Sequence, residues 1–134
     1  MRPLRWAAFW RSLGWLLVIF SVVASLVPTS SLPDVSFSDK LGHAVTYGGL
    51  TVWFCGIYPR RMAPRVAVAL FLVGVAVEGV QSLTESRSPE MADLAANAAG
   101  ILIGLALSRA GLDKWCAMVE SLLGADRASD HSDS

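Results

Sequence analysis

The 134-residue chain is 54% hydrophobic and only 16% charged, and its eleven basic and eleven acidic residues give no net charge. Soluble domains carry about 25% charged residues, so this composition indicates a membrane protein. The chain has no basic run of the kind that binds nucleic acid. Cys55 lies in an apolar segment and Cys116 in a charged tail, which indicates neither a disulfide framework nor a cysteine metal site.

Four apolar segments predict an all-α integral membrane protein, a bundle of four transmembrane helices. The segments cover about residues 8–27, 41–58, 66–83 and 90–108, close to the roughly 20 residues that cross a hydrocarbon core. They must be helical in lipid, because their backbone groups find no water there. The sequence therefore predicts a transmembrane domain over residues 1–108 and a tail over residues 109–134.

The positions of arginine and lysine predict the orientation of these helices. Nine of the eleven lie in the N-terminal segment, the second loop or the tail, and only Lys40 and Arg87 fall on the other side. By the positive-inside rule, both termini are cytoplasmic. A cleaved signal peptide is an alternative for the first segment, but its tryptophan-rich start favours a retained anchor. Cleavage would leave three spans in the same orientation.

The tail is predicted to have two parts. Residues 113–123 place four apolar side chains on one helical face, which predicts a short amphipathic helix on the cytoplasmic surface: Trp115, Met118, Val119 and Leu122. The remaining segment, ADRASDHSDS (125–134), has the composition of disordered chain. His131 lies there and is expected to be a solvated tail residue.

Three of the predicted helices carry polar residues near the outer membrane surface. In the second helix, Asp39, His43 and Tyr47 are spaced i, i+4, i+8 and share one face. The third helix carries Glu78 and Gln81 near its end. Asp93 and Asn97 lie at the start of the fourth helix, and the basic residues Lys40 and Arg87 lie at the same membrane surface. Together these side chains predict an outward-facing polar cup with nine members: Asp39, Lys40, His43, Tyr47, Glu78, Gln81, Arg87, Asp93 and Asn97.

The opposite half of the bundle lacks such residues. Segments 66–77 and 101–107 contain no polar side chain, so the sequence argues against a channel or a proton wire and predicts a blind cup. Small residues at helical spacing predict close helix packing: Ala96, Gly100 and Gly104, with Gly48, Gly49, Gly74 and Gly79 in the other helices.

Three segments, DKLGHAVTY (39–47), EGVQ (78–81) and RSPEMADLAANAAG (87–100), together resemble the VanZ-like membrane proteins. That family's pattern of Asp-Lys-x-x-His with a following aromatic residue, Glu-x-x-Gln, and then Arg, Asp, Asn and Gly falls on the polar cup and on Gly100. Ala44 and Pro89 depart from the pattern without removing a polar member. The resemblance implies a multi-pass protein of the bacterial cytoplasmic membrane and a link to reduced sensitivity to the glycopeptide teicoplanin, but no defined reaction.

The favoured hypothesis is a binding module rather than an enzyme. Lys40 and Arg87 would hold the phosphate or carboxylate of a lipid-linked cell-wall precursor or another anionic envelope lipid. Other polar side chains would bond its sugar or peptide groups: Glu78, Gln81, Asp93 and Asn97. The expected partners are this lipid and the bilayer, and no cofactor, metal or nucleic acid is expected.

Two other hypotheses stay open. An integral membrane enzyme acting on an envelope lipid would use His43 and Glu78 as an acid–base pair and Tyr47 as an acid or hydrogen-bond donor. In that case Asp39, His43, Glu78 and Asp93 would be ligands for a divalent ion, although their spacing fits no dedicated metal motif. Alternatively, the polar cluster only holds the helices together, although its confinement to one leaflet favours function.

Overall fold

The computed structural model describes residues 4–27, 36–83 and 91–130. They form five α-helices: α1 (Ala7–Leu26), α2 (Ser36–Ile57), α3 (Ala63–Ser82), α4 (Met91–Arg109) and α5 (Trp115–Asp130). Single 3-10 turns at Arg60–Met62 and Leu112–Lys114 precede α3 and α5. No strand occurs in these described ranges, which confirms the prediction of an all-α protein.

Two helices begin earlier than the apolar segments do, and local chemistry explains both starts. α2 begins at Ser36, so that Asp39 lies in its first turn, where the helix dipole favours an acid. α3 begins at Ala63, with Pro64 in the first positions of the helix, where its missing N–H costs nothing. Hydropathy alone marks only the part of each helix that is apolar.

Three segments are long and apolar enough to cross a membrane: α1, the segment Arg60–Ser82 that contains α3, and α4. Their outer surfaces expose large apolar side chains such as Phe20, Leu72 and Leu102, which suits hydrocarbon and not water. α2 is not among the three, because Lys40, His43 and its glycines lower its hydropathy. The predicted four-span topology therefore stays a prediction for α2.

α2 packs against α4 at a line of glycines. A Cβ atom at Gly104 would lie 2.6 Å from the carbonyl oxygen of Gly48, and a Cβ at Gly100 would overlap the backbone of Ala44. The two backbones therefore touch, which only glycine permits. The matched order of these contacts shows that α2 and α4 run parallel. Both begin at one end of the bundle, called here the site end.

The small-residue prediction holds at some positions and is wrong at others. Gly74 on α3 lies against the side chains of Asn97 and Tyr47, so it allows α3 to approach both neighbours. Gly49 and Gly79 face open space, with no atom near enough to contact an added Cβ. Helical spacing marks a glycine face but does not say which glycine meets a partner.

At the opposite end, called here the tail end, α5 is fastened to the start of α1. The Glu120 carboxylate accepts hydrogen bonds from the backbone N–H of Arg5 (2.7 Å), the backbone N–H of Trp6 (2.9 Å) and the indole N–H of Trp10 (2.9 Å). α1 has no capping side chain of its own, and Glu120 instead binds the two N–H groups just before its first residue, where the helix dipole favours an acid. The indole of Trp115 packs on those of Trp10 and Trp53, with ring centroids 5.4 and 4.5 Å apart.

The predicted apolar face of the tail helix is only half right. Trp115 and Val119 pack against the core, but Met118 and Leu122 are exposed. Cys116 is fully buried instead, because α5 turns this side to the bundle when Glu120 binds α1. α5 also continues to Asp130, past the predicted end at Leu123 and into the segment predicted to be disordered, since alanine and arginine favour helix. His131 lies outside the described residues.

Replacing Gly100 by alanine is expected to destabilise the bundle by about 1–3 kcal/mol, because the added methyl must push α2 away from α4. Thermal unfolding in detergent measures this effect. Gly49→Ala is the matched control on α2, and its melting temperature should stay equal or rise, because open space surrounds it. Equal melting temperatures for Gly100→Ala and the parent would contradict the packing.

Acid is expected to weaken the contact between α5 and α1. Burial raises the pKa of Glu120, but the hydrogen bonds from Trp6, Arg5 and Trp10 outweigh it and leave this pKa below its ordinary value. The folded state therefore prefers the charged carboxylate more than the unfolded chain does. The stability that results is present at neutral pH and is lost as the pH falls through the pKa of the folded state.

The check is to melt the parent and Glu120→Gln at neutral pH and at a pH below the ordinary range of a glutamate. The parent should lose more melting temperature on acidification than the variant does. Equal losses would show that the charge of Glu120 contributes nothing to the fold.

Candidate functional site

The parallel packing of α2 and α4 brings three metal-ligating side chains together at the site end. Asp39 and His43 lie one turn apart on α2, and a carboxylate oxygen of Asp39 is 3.9 Å from His43 Nε2. Asp93 enters from the first turn of α4. One ligand atom from each of the three residues lies within 4.8 Å of the others. We call Asp39, His43 and Asp93 the acidic triad.

Asp93 is the most deeply placed member of the triad. It is 1% exposed, and its Oδ1 atom has no hydrogen-bond partner. One turn further along α4, Asn97 is also buried, and its Oδ1 is likewise without a partner. An unsatisfied buried oxygen costs about 1–3 kcal/mol, and more when the group is charged. These two oxygens therefore need a reason other than stability.

Below the triad, α3 closes the site. A Cβ at Gly74 would lie 2.8 Å from the side-chain nitrogen of Asn97 and 3.3 Å from the hydroxyl of Tyr47. Tyr47 and Asn97 follow His43 and Asp93 by four residues each, so they form the next layer inward on the same helix faces. Tyr47 and Asn97 therefore both lie beside Gly74 of α3, and their role as ligand contacts stays a prediction.

Glu78 and Gln81, the residues predicted on α3, are both buried at the site end. Gln81 connects two helices there. The side-chain amide of Gln81 donates a 2.5 Å hydrogen bond to the carbonyl of Ser25, which ties α3 to the last turn of α1. Ser25 was not predicted, because a backbone carbonyl leaves no signal in the sequence. This bond supports a structural role for Gln81.

Glu78 is buried, but the triad does not include it. The carboxylates of Asp39 and Asp93 lie near His43, because Asp39 is one turn away on the same helix and α4 packs against α2. Glu78 interacts with its own surroundings, and its predicted pairing with His43 stays a prediction.

Of the two cationic residues predicted in the polar cup, Lys40 lies within the described residues and Arg87 does not. Lys40 is partly buried in the first turns of α2 and interacts with its surroundings. Arg87 lies outside the described residues, so its role as an anion contact stays a prediction.

An apolar groove of about 550 Å³ opens between α2 and α4 and was not predicted. Leu41 and Ala44, in the same turns of α2 as Lys40 and His43, line one end, and Trp53 and Leu107 lie toward the other. The glycines at which α2 packs on α4 line this groove and place no side chain in it: Gly48, Gly100 and Gly104. Glycine pairs on two adjacent helices are the only sequence signal for it.

Between the two ends, the core holds few polar groups. Among the described residues, Thr51 is the buried polar residue that lies between them, and its hydroxyl donates to the carbonyl of Tyr47 on its own helix. At the tail end, Asp113 accepts a 2.7 Å hydrogen bond from Arg60 Nε. The chain is therefore an all-helical membrane protein whose buried polar side chains, among the described residues, lie mostly at the two ends of the bundle and in the larger number at the site end.

The family comparison agrees with this architecture. The profile of the VanZ/LLP1 family matches residues 4–112, which covers α1 to α4. The chain therefore belongs to the VanZ-like family, as the sequence predicts. No curated protein and no solved structure matches it.

Two buried aspartates provide a test of whether the triad stabilises the fold. Asp93 is 1% exposed and has an unpaired oxygen, whereas Asp113 is 2% exposed and paired with Arg60. In protein purified with EDTA and excess detergent, Asp93→Asn should change the free energy of unfolding by less than about 1 kcal/mol, because Oδ1 of Asp93 makes no hydrogen bond that the change would break.

Asp113→Asn should lower stability, because it weakens a charge-assisted hydrogen bond. Chemical denaturation of both variants beside the parent measures the difference. A large loss for Asp93→Asn under these conditions would mean that the triad is structural.

Proposed function

We propose that this VanZ-like protein binds an anionic, lipid-linked molecule of the bacterial cell envelope in an outward-facing polar cup. The observation that carries the proposal is the set of buried polar side chains, besides the structural Gln81, that α2, α3 and α4 gather at the site end: Tyr47, Glu78, Asp93 and Asn97. Polar groups are expensive in a membrane domain, and two of these residues hold oxygens without partners. Such a site favours a ligand over packing alone.

The groove between α2 and α4 supports a lipid as that ligand. Its lining is almost wholly apolar, and it starts beside the turns that carry Lys40 and His43. A hydrocarbon chain lying along Gly48 and Gly49 would place its polar head at the triad. Lys40 and Arg87 would hold the phosphate or carboxylate of that head, Arg87 by a bidentate fork.

The orientation follows from the basic residues. Arg5, Arg60, Arg109 and Lys114 all lie at the tail end, beside α5. The positive-inside rule favours this end as cytoplasmic, with the protein in the bacterial cytoplasmic membrane. The site end then faces outward, where lipid-linked cell-wall precursors are exported. A protein that holds such a precursor would alter its access to glycopeptides, which is how we relate the site to teicoplanin sensitivity.

A second candidate is an integral membrane enzyme acting on such a lipid. It is favoured by the position of Asp39 near His43, because a general base is often oriented by a neighbouring carboxylate. Tyr47, one turn deeper, would donate a proton or a hydrogen bond. An enzyme would lose all turnover in His43→Ala while still retaining its lipid, whereas a binding protein would weaken in steps and most at Arg87.

Native mass spectrometry of the protein released from bacterial membranes tests the binding proposal. The parent should carry a lipid of defined mass. Arg87→Ala and Glu78→Gln should lose most of it, because they remove an anion contact and a polar group of the cup. Arg87→Lys should keep more of it than Arg87→Ala.

Arg127→Ala, in the tail, is the matched control and should retain the lipid in full. Absence of lipid from the folded parent would contradict the proposal. So would equal lipid content in Arg87→Ala and Arg127→Ala.

A further inference from the structure

The acidic triad has the composition of a metal site. It contributes two carboxylates and one imidazole from two helices, with one ligand atom of each within 4.8 Å of the others. We propose that Asp39, His43 and Asp93 bind a divalent transition-metal ion, Zn²⁺ or Mn²⁺. This departs from the sequence-based expectation of no metal.

The donor atoms are close enough for small side-chain rotations to bring them onto one ion. Ligands that lie about 2.1 Å from a tetrahedrally bound ion are roughly 3.4 Å apart. The 3.9 Å between Asp39 and His43 is too long for a hydrogen bond between them and would shorten by about half an ångström. Since the three ligand atoms lie within 4.8 Å of one another, no pair would have to close by more than about 1.4 Å.

The unpaired oxygen of Asp93 is an independent indication of a ligand. Oδ1 of this residue is buried and accepts no hydrogen bond, whereas buried polar groups are normally hydrogen-bonded or bound to a metal. The glycine contacts between α2 and α4 lie one to two turns further along both helices. They fix the backbone positions of the three ligand residues. A metal ion at the triad would satisfy this oxygen.

The number of ligands leaves room for a bound molecule. An ion held by these three side chains keeps coordination positions for an outside oxygen, as metal sites with three protein ligands do. Coordination of a phosphate or carboxylate by the ion rests on the proposed function, whereas the ion site itself does not.

The ligand types select the kind of ion. Imidazole suits Zn²⁺ and other transition metals, and carboxylates alone suit Mg²⁺ and Ca²⁺. A triad that includes His43 therefore favours a transition metal over an alkaline-earth ion.

Metal titration of the full chain tests the proposal. The protein is purified without a histidine tag, treated with EDTA, freed of chelator and titrated with Zn²⁺, Mn²⁺ and Mg²⁺ by calorimetry, without added lipid. The parent should bind a single Zn²⁺ or Mn²⁺ and gain melting temperature on binding. Asp93→Asn and Asp39→Asn should weaken binding by at least about tenfold, and both should still fold in EDTA.

His131→Ala is the matched control, because it removes the other histidine of the chain and should bind as the parent does. The proposal is overturned if the parent binds no transition metal, if it prefers Mg²⁺, or if Asp93→Asn binds as tightly as His131→Ala. Lipid retention measured in EDTA separates the two proposals. A protein that keeps its lipid but binds no metal would overturn the metal site alone. A protein that binds the metal but carries no lipid would overturn the proposed function alone.

Discussion

The contact on which the rest of the structure depends is the packing of α2 on α4 at Gly48, Gly100 and Gly104. It sets the two helices parallel and starts them at the same end. Because of this arrangement, the polar face of α2 meets that of α4, and Asp93 reaches the pair formed by Asp39 and His43. The same missing side chains leave the apolar groove between the helices. A single geometric feature therefore provides both the polar site and a path for hydrocarbon beside it.

The buried polar groups divide into two kinds. Gln81 and Thr51 donate to backbone carbonyls, and Asp113 is paired with Arg60 at the tail end; these residues hold helices and turns in place. Asp93 and Asn97 instead keep oxygens without partners at the site end, and the hydroxyl of Ser108 does so near the tail end. Proteins often accept such a loss of stability at a functional site. At the site end the unpaired oxygen of Asp93 also belongs to a residue whose ligand atoms lie close to those of Asp39 and His43, which favours ligand binding over a purely structural role there.

The sequence predicts much of this arrangement because helical spacing is local. The apolar segments mark the helices, and the spacing of Asp39, His43 and Tyr47 marks a shared face. The convergence of Asp93 on Asp39 and His43 does not follow from that spacing, because spacing within one helix does not tell which neighbour comes closest. The pairing of His43 with Glu78 stays a prediction. The bond from α5 to α1 through Glu120 was not foreseen for the same reason, since its two halves lie more than a hundred positions apart in the chain. The family pattern found the polar residues but not their pairing.

Solid-state NMR of the protein in lipid bilayers would test the convergence of α2 and α4 most directly. The sample is Asp39→Asn, His131→Ala protein labelled with ¹⁵N histidine and ¹³C aspartate, so that His43 is the labelled histidine and Asp93 the labelled carboxylate expected beside it. The structure places their ligand atoms within 4.8 Å, so we expect a dipolar coupling that disappears when Asp93→Asn is added. If no coupling is seen in the first sample, or if it survives in the second, α2 and α4 do not meet as described and the site is wrong.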